Sequence, residues 1–144
     1  MAARSSSVDR RERDKPESLR GRSISVGLTV ADLQASLAWY RDVVGFTVQE
    51  SWESHDEVVG VEMVAGSVRI VLNQDDWAKG RDRVKGQGIG LYLSTVQDVD
   101  EIAARIKGRG GTLASEPTDM PWGARSFSIV DPDGFRWTVS SLQE

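Results

Sequence analysis

The sequence contains no cysteine and a single histidine, His55, among its 144 residues. Disulfides, thiolate metal sites and cysteine nucleophiles are therefore excluded. A metal site that needs two histidines cannot form within one chain. The lack of cysteine suits a reducing compartment, and the expected location is cytoplasmic. Long apolar runs are missing too: none approaches the roughly 20 residues of a membrane span. The N-terminus has no apolar segment of the secretory-signal kind. Neither a Gly-x-Ser-x-Gly elbow nor a phosphate-binding glycine loop occurs.

Positive charge is scarce where a nucleic-acid partner would need it. Residues 1–22 carry seven Arg/Lys and four Asp/Glu, a balance of +3; the whole chain carries -4, so the remaining 122 residues carry -7. Phosphate contacts need Lys and Arg, so an acidic body argues against nucleic acid as a partner. Residues 1–22 hold few large apolar side chains, Val8 and Leu19 among them, and are expected to form a disordered charged tail. Within it, Asp9–Lys15 has at most the makings of a short helix.

From Ser23 onward the pattern is that of a folded domain. Ile24, Val26, Leu28 and Val30 alternate with small and polar residues, which predicts a half-buried strand. Asp32 is placed to cap a helix whose apolar positions are Leu33, Leu37, Tyr40 and Val44, and Gly45 is placed to end it. Strands follow over Phe46–Trp52, Val58–Ala65 and Val68–Asn73, the last two joined at Gly66-Ser67. Residues 74–87 are polar and read as a linker. The order then repeats. Ile89–Val96 is a strand, and Asp98 with Glu101 forms a capping box for a helix bearing Val99, Ile102, Ala103 and Ile106. Gly110-Gly111 ends that helix, and strands follow over Thr112–Ser115, Ala124–Val130 and Phe135–Ser141. Asp131-Pro132-Asp133-Gly134 makes the last turn.

The halves match at a nearly constant offset. Val30-Ala31-Asp32-Leu33 corresponds to Val96-Gln97-Asp98-Val99 and Gly45 to Gly111, both 66 residues on; Arg69 corresponds to Arg136, 67 on. Agreement of helix start, helix stop and strand order argues for an internal duplication. The predicted fold is α+β: a first βαβββ module over 23–73, a linker over 74–87 and a second module over 88–144.

The segment from Val30-Ala31-Asp32 through Ser36, Trp39-Tyr40 and Val44-Gly45-Phe46 resembles the opening of a glyoxalase/bleomycin-resistance/extradiol-dioxygenase module, the vicinal oxygen chelate superfamily. Asp131-Pro132-Asp133-Gly134-Phe135 resembles that family's closing turn, and Pro121-Trp122-Gly123 occurs in its bleomycin-resistance-like members. The resemblance covers residues 23–142. It implies two modules whose sheets curve into a cup, helices on the convex face, a ligand or divalent metal on the concave face, and in many members a homodimer. The strand positions that hold metal in such proteins fall here on Ser25, Val71, Leu91 and Thr138. None offers imidazole or carboxylate, so no metal and no cofactor are expected. His55, among Glu53, Asp56 and Glu57, reads as a solvated loop residue.

Strand alternation predicts the cup's lining. Ser23, Ser25, Gly27 and Thr29 face inward from the first strand, and Arg69, Val71 and Asn73 from the fourth. Leu91, Leu93 and Thr95 are expected to do so from the fifth, and Arg136, Thr138 and Ser140 from the eighth. Arg69 and Arg136 are suited to clamping an anionic group, with seats at the cup's rim or pairing with Asp and Glu across a dimer as the alternative. Trp52, Trp77 and Trp122 are candidates for stacking on a flat ligand, with packing as the alternative. Trp39, Trp137, Met63 and Met120 read as core. Candidate ligand contacts are thus Ser25, Thr29, Arg69, Asn73, Leu91, Trp122, Arg136 and Thr138. The expected function is small-molecule binding. A lyase, isomerase or dioxygenase with an altered site is the alternative.

Overall fold

The computed structural model describes Leu19 and residues 21–142. The expected charged tail, with its possible helix at Asp9–Lys15, lies almost wholly outside the described residues.

Each half folds as a βαβββ unit. The first comprises β1 (Val26–Val30), α1 (Leu33–Ala38), β2 (Thr47–Ser54), β3 (Glu57–Ala65) and β4 (Val68–Gln74). The second comprises β5 (Gly90–Thr95), α2 (Val99–Gly108), β6 (Leu113–Asp119), β7 (Ala124–Val130) and β8 (Arg136–Leu142). The sheets have equivalent orders, β1-β4-β3-β2 and β5-β8-β7-β6, open and cupped, with the first and last strand of each unit parallel.

The duplication extends to the caps. Asp32 accepts from the Ala35 N–H at 3.2 Å and Asp98 from the Asp100 N–H at 2.8 Å, each satisfying an otherwise unpaired donor at a helix start. At the other end, the Gly45 N–H reaches the Tyr40 carbonyl at 2.9 Å and the Gly111 N–H reaches the Ile106 carbonyl at 2.8 Å. Both bonds span five residues. In the first unit this wider turn runs back through the helix, so α1 continues as a π-helical segment over Trp39–Val44. The sequence reading placed one regular helix there. Gly45 takes φ 112°, the left-handed conformation glycine favours.

Turn chemistry fixes the hairpins. His55 and Asp56 form the two-residue loop between β2 and β3, with φ of 53° and 65°, as a primed turn requires. The histidine thus sits at a hairpin tip. The β6 strand begins near the expected place and runs past Ser115 to Asp119.

The residues facing the helices merge into one core that spans both units. Leu28, Val30, Ile70 and Leu72 from the first sheet join Phe127, Ile129, Trp137 and Val139 from the second, with Tyr40, Ala103 and Ile106 from the helical layer. Met63 is fully buried as expected.

At the centre of the joint stands Tyr40. Its hydroxyl donates to Asp131 Oδ2 at 2.7 Å and accepts from the Trp137 indole N–H at 2.9 Å. Asp131 Oδ1 also accepts the Asp133 and Phe135 N–H groups at 2.9 and 2.8 Å. Asp133 then reaches back to the first unit, accepting from the Ala31 N–H at 2.9 Å and the Ser36 hydroxyl at 3.3 Å. The Asp-Pro-Asp-Gly turn is therefore the clasp that holds one unit to the other. Burial, and secondarily the Asp131 charge, holds the Tyr40 phenol far above its ordinary value, so it stays a donor. Burial also raises the Asp131 carboxyl, against the lowering effect of its hydrogen bonds.

The segment read as a polar linker is tethered on both sides. Gln74, its first residue, ends β4 and bonds the Leu33 N–H and the Ala31 carbonyl. The Lys85 ammonium lies 2.9 Å from Asp75 Oδ2, with both side chains under 10% exposed. Lys85 and Arg81 cover the Trp77 ring at 5.1 and 4.7 Å, so Trp77 is engaged by the loop's own cations. Gly86 packs on the Asp131–Gly134 turn so closely that a Cβ would lie 2.3 Å from the Gly134 carbonyl oxygen.

Three outcomes follow for stability. Tyr40→Phe leaves Asp131 Oδ2 and the Trp137 indole N–H without their partner and should cost about 1–3 kcal/mol in urea unfolding. Gly86→Ala combines a left-handed φ of 81° with a backbone collision and should lower stability by about 1–3 kcal/mol by the same measurement. The Asp75 carboxyl is held low by its Lys85 partner first, and then by the Trp77 N–H. Its contribution is therefore present above the unfolded-chain value of about 3.9 and lost as pH falls through the lower native value. Lys85→Met should accordingly destabilise most near neutrality, with the gap to wild type closing toward acid.

Candidate functional site

The faces turned away from the helices are paved with small and polar residues. In the first unit, strand register places Gly27 and Thr29 of β1 beside Val71 and Asn73 of β4. Next to them on β3 lie Gly60, Glu62 and Val64, opposite Asn73, Val71 and Arg69. The Trp52 indole of β2 lies across Gly60, where any Cβ would fall 2.3 Å from the ring. Glycine at 60 is thus what lets the indole lie flat on the sheet. Gly27 likewise leaves room beside the Asn73 amide. Arg69 pairs with Glu62 at 3.4 Å and is half exposed.

In the second unit, Gly90, Tyr92 and Ser94 of β5 lie beside Arg136, Thr138 and Ser140 of β8. Ser126 and Ser128 of β7 follow, opposite Ser140 and Thr138. Their hydroxyls line up as a ladder across the strands; Ser126 Oγ and Ser140 Oγ bond each other at 2.6 Å, and Ser126 and Ser128 are buried. Trp122 and Tyr92 stand beside this floor as exposed aromatics, at 71% and 82%. A recess of about 600 Å³ opens at the strand ends, lined by Ser94, Val96, Trp122, Ala124 and Ser140. A smaller one of about 300 Å³ joins Gly27 and Thr29 to Arg83, Lys85 and Phe135. Arg136 is exposed and has no ion-pair partner among the described residues.

The fifth strand corrects the expected lining. Leu91 belongs to the common core at 8% exposure, and Leu93 packs against it. Their register partners Trp137 and Val139 are core residues as well. The cup face of β5 is therefore Gly90, Tyr92 and Ser94. The alternation was legible, but its phase was not. Leu91, Leu93 and Thr95 are apolar enough to face either way, and what decides between them is pairing with β8.

The other sequence-predicted residues are distributed as follows. Thr29, Asn73 and Arg69 share the first cup face, and Ser25 stands exposed just before β1. Arg136 and Thr138 share the second face, with Trp122 at its rim. Ser140 was expected on this face; unforeseen were Tyr92, the Ser94, Ser126 and Ser128 hydroxyls, Glu62, and the seating of Trp52 on Gly60. The alternating Ser126-Phe127-Ser128-Ile129 of β7 was the sequence signal for part of it.

A divalent metal does not fit this donor set. The strand positions nearest the expected ligands present Ser25, Gly27, Val71, Asn73, Tyr92, Ser94, Thr138 and Ser140. Glu62 lies on β3 and is paired with Arg69. Among the described residues, no three His, Asp or Glu side chains come together in a way that could hold a metal ion. The arrangement is equipped instead to hydrogen-bond and stack on an organic molecule.

Comparison with known proteins agrees with the fold. The profile of the "Glyoxalase/Bleomycin resistance protein/Dioxygenase superfamily" matches residues 22–139. A probable lactoylglutathione lyase of Synechocystis sp. is 29% identical over 116 residues, spanning 76% of this chain and 86% of that one. The crystal structure of TioX from Micromonospora sp. ML1 superposes with a TM-score of 0.69 at 19% identity, covering 85% of this chain and all of that one. That of TnmS3, an antibiotic binding protein from Streptomyces sp. CB03234, gives 0.68 at 23% identity, covering 88% and all. Duplicated βαβββ units, the Asp-Pro-Asp-Gly clasp and a profile match across nearly the whole described chain lead to one conclusion: the chain belongs to the glyoxalase/bleomycin resistance protein/dioxygenase superfamily.

Proposed function

We propose that this protein binds a small aromatic or amphipathic molecule in its cup without the help of a metal. The observation that carries this reading is the cup's chemistry: a flat indole on a glycine floor, a hydroxyl ladder and an unpaired arginine, where metal chemistry would want imidazoles and carboxylates. Trp52, Trp122 and Tyr92 supply rigid stacking surfaces. Thr29, Asn73, Ser94, Thr138 and Ser140 supply hydrogen bonds that fix orientation. Arg136, aided by Arg69, meets an anionic substituent, and Ser25 lies at the entrance. The likeness in fold to an antibiotic binding protein supports this class of ligand. The working form under this reading is a cytoplasmic homodimer.

A second reading, a lyase, isomerase or dioxygenase with an altered site, draws on the sequence likeness to a probable lactoylglutathione lyase. Metal content separates the two. Elemental analysis of protein purified without chelator should find less than stoichiometric divalent metal, and a full equivalent would favour the enzyme.

Titration of planar aromatic compounds against intrinsic tryptophan fluorescence should give saturable quenching. Trp122→Ala should weaken binding up to about tenfold, the size of one stacking contact. Arg136→Gln should weaken acidic ligands selectively and leave neutral ones nearly unchanged. Quenching that fails to saturate across a broad panel would count against the binding role.

A further inference from the structure

A second cavity, of about 240 Å³, opens on the opposite side of the second sheet from the cup. Along β5, Tyr92 and Ser94 face the cup and Leu93 turns the other way into this cavity, while Thr95 at the strand's end borders recesses on both sides. It lies where the units meet, between the end of the first helix and α2. Its floor is apolar, formed by Phe46, Ala65, Leu93, Ile106 and Val139. Gly45 contributes no side chain, and its Cβ position is 3.6 Å from an Arg109 guanidinium nitrogen. The wall is therefore low where that cation stands.

The charged groups are all of one sign. Arg105 and Arg109 stand four residues apart on α2 and its C-terminal cap, and both line the cavity. Two uncharged polar groups, Thr95 and Gln97, stand with them, and Gln97 brings an amide. Thr95 donates to its Oε1 at 3.4 Å, which leaves the amide NH₂ as a donor. No aspartate or glutamate lines the cavity, although the chain has 22 acidic residues. Neither arginine has an ion-pair partner among the described residues, as is also true of Arg136. Basic residues at a helix C-terminus also complement its dipole. That role needs neither an apolar floor beside them nor the exclusion of carboxylates.

We propose that this cavity is a second binding site, distinct from the cup, for a small amphipathic carboxylate whose apolar body lies on Phe46, Leu93 and Ile106 and whose head group is held by Arg105 and Arg109. Guanidinium groups match carboxylate geometry, and the volume suits a ligand of fragment size. The site does not depend on what the cup binds.

The experiment is a titration of the ¹⁵N-labelled full chain with octanoate, with octanamide and inorganic phosphate as comparison probes. Octanoate should shift the amides of Gly45, Leu93 and Ile106 saturably. Octanamide should bind about tenfold or more weakly, because it lacks the charge-assisted bonds. Phosphate alone should leave the Leu93 and Ile106 amides unmoved. The double variant Arg105→Gln/Arg109→Gln alters exposed side chains, so its unfolding midpoint should fall only by the small amount that two helix-terminal cations contribute, while octanoate affinity falls at least about tenfold. Unsaturable shifts, shifts centred on Tyr92 and Thr138, equal affinity for octanamide, or unchanged affinity in the double variant would each overturn the assignment.

Discussion

Tyr40 carries the buried pair of hydrogen bonds on which the joint between the two units turns. Its ring packs edge-on against Trp39, Phe46 and Trp137, and its hydroxyl is shared between the Trp137 indole and Asp131. A buried carboxylate is costly unless its lone pairs are used. Here the phenol and two backbone N–H groups use those of Asp131, while the neighbouring Asp133 carries the link on to Ala31 and Ser36. Because the clasp fixes the second unit to the first helix, it also fixes where the two concave faces and the rear cavity lie.

That arrangement divides labour between the faces of each sheet. The helix-side faces are committed to a single shared core, and stability comes from there. On the opposite faces small residues dominate: glycine at 27, 60 and 90, serine at 94, 126, 128 and 140. Small side chains leave volume, and hydroxyls leave directional bonds. Though the chain is acidic, Arg136 stands on the open face of the second sheet and Arg105 and Arg109 line the rear cavity.

Much of this was legible in the sequence because it depends on local chemistry. Asp32 and Asp98 as caps, Gly45 as a terminator, Gly66-Ser67 as a hairpin and the 66-residue offset all follow from neighbours along the chain. The family likeness rested on the same segments. What escaped depends on partners far away in sequence. The phase of β5 is set by β8, about 46 residues on. The π-helical end of the first helix arises as the Tyr40 carbonyl accepts both the Gly45 and Phe46 N–H groups. Trp77 looked available for stacking until Arg81 and Lys85 were seen to cover it. Trp52 became a platform only because glycine stands opposite it across a strand pair.

The clasp has a consequence for how the chain acquires its structure. Its bonds join residues separated by 91 to 102 positions, and contacts so distant are slow to form because loop closure precedes any reward. During synthesis the first unit emerges while Asp131, Asp133 and Trp137 are still unmade. The Tyr40 hydroxyl, the Ala31 N–H and the apolar flank of the first helix must then wait without their partners. A chain halted before residue 131 would leave that flank open to water, so this side of the first helix is fully buried only once the polypeptide extends through Trp137.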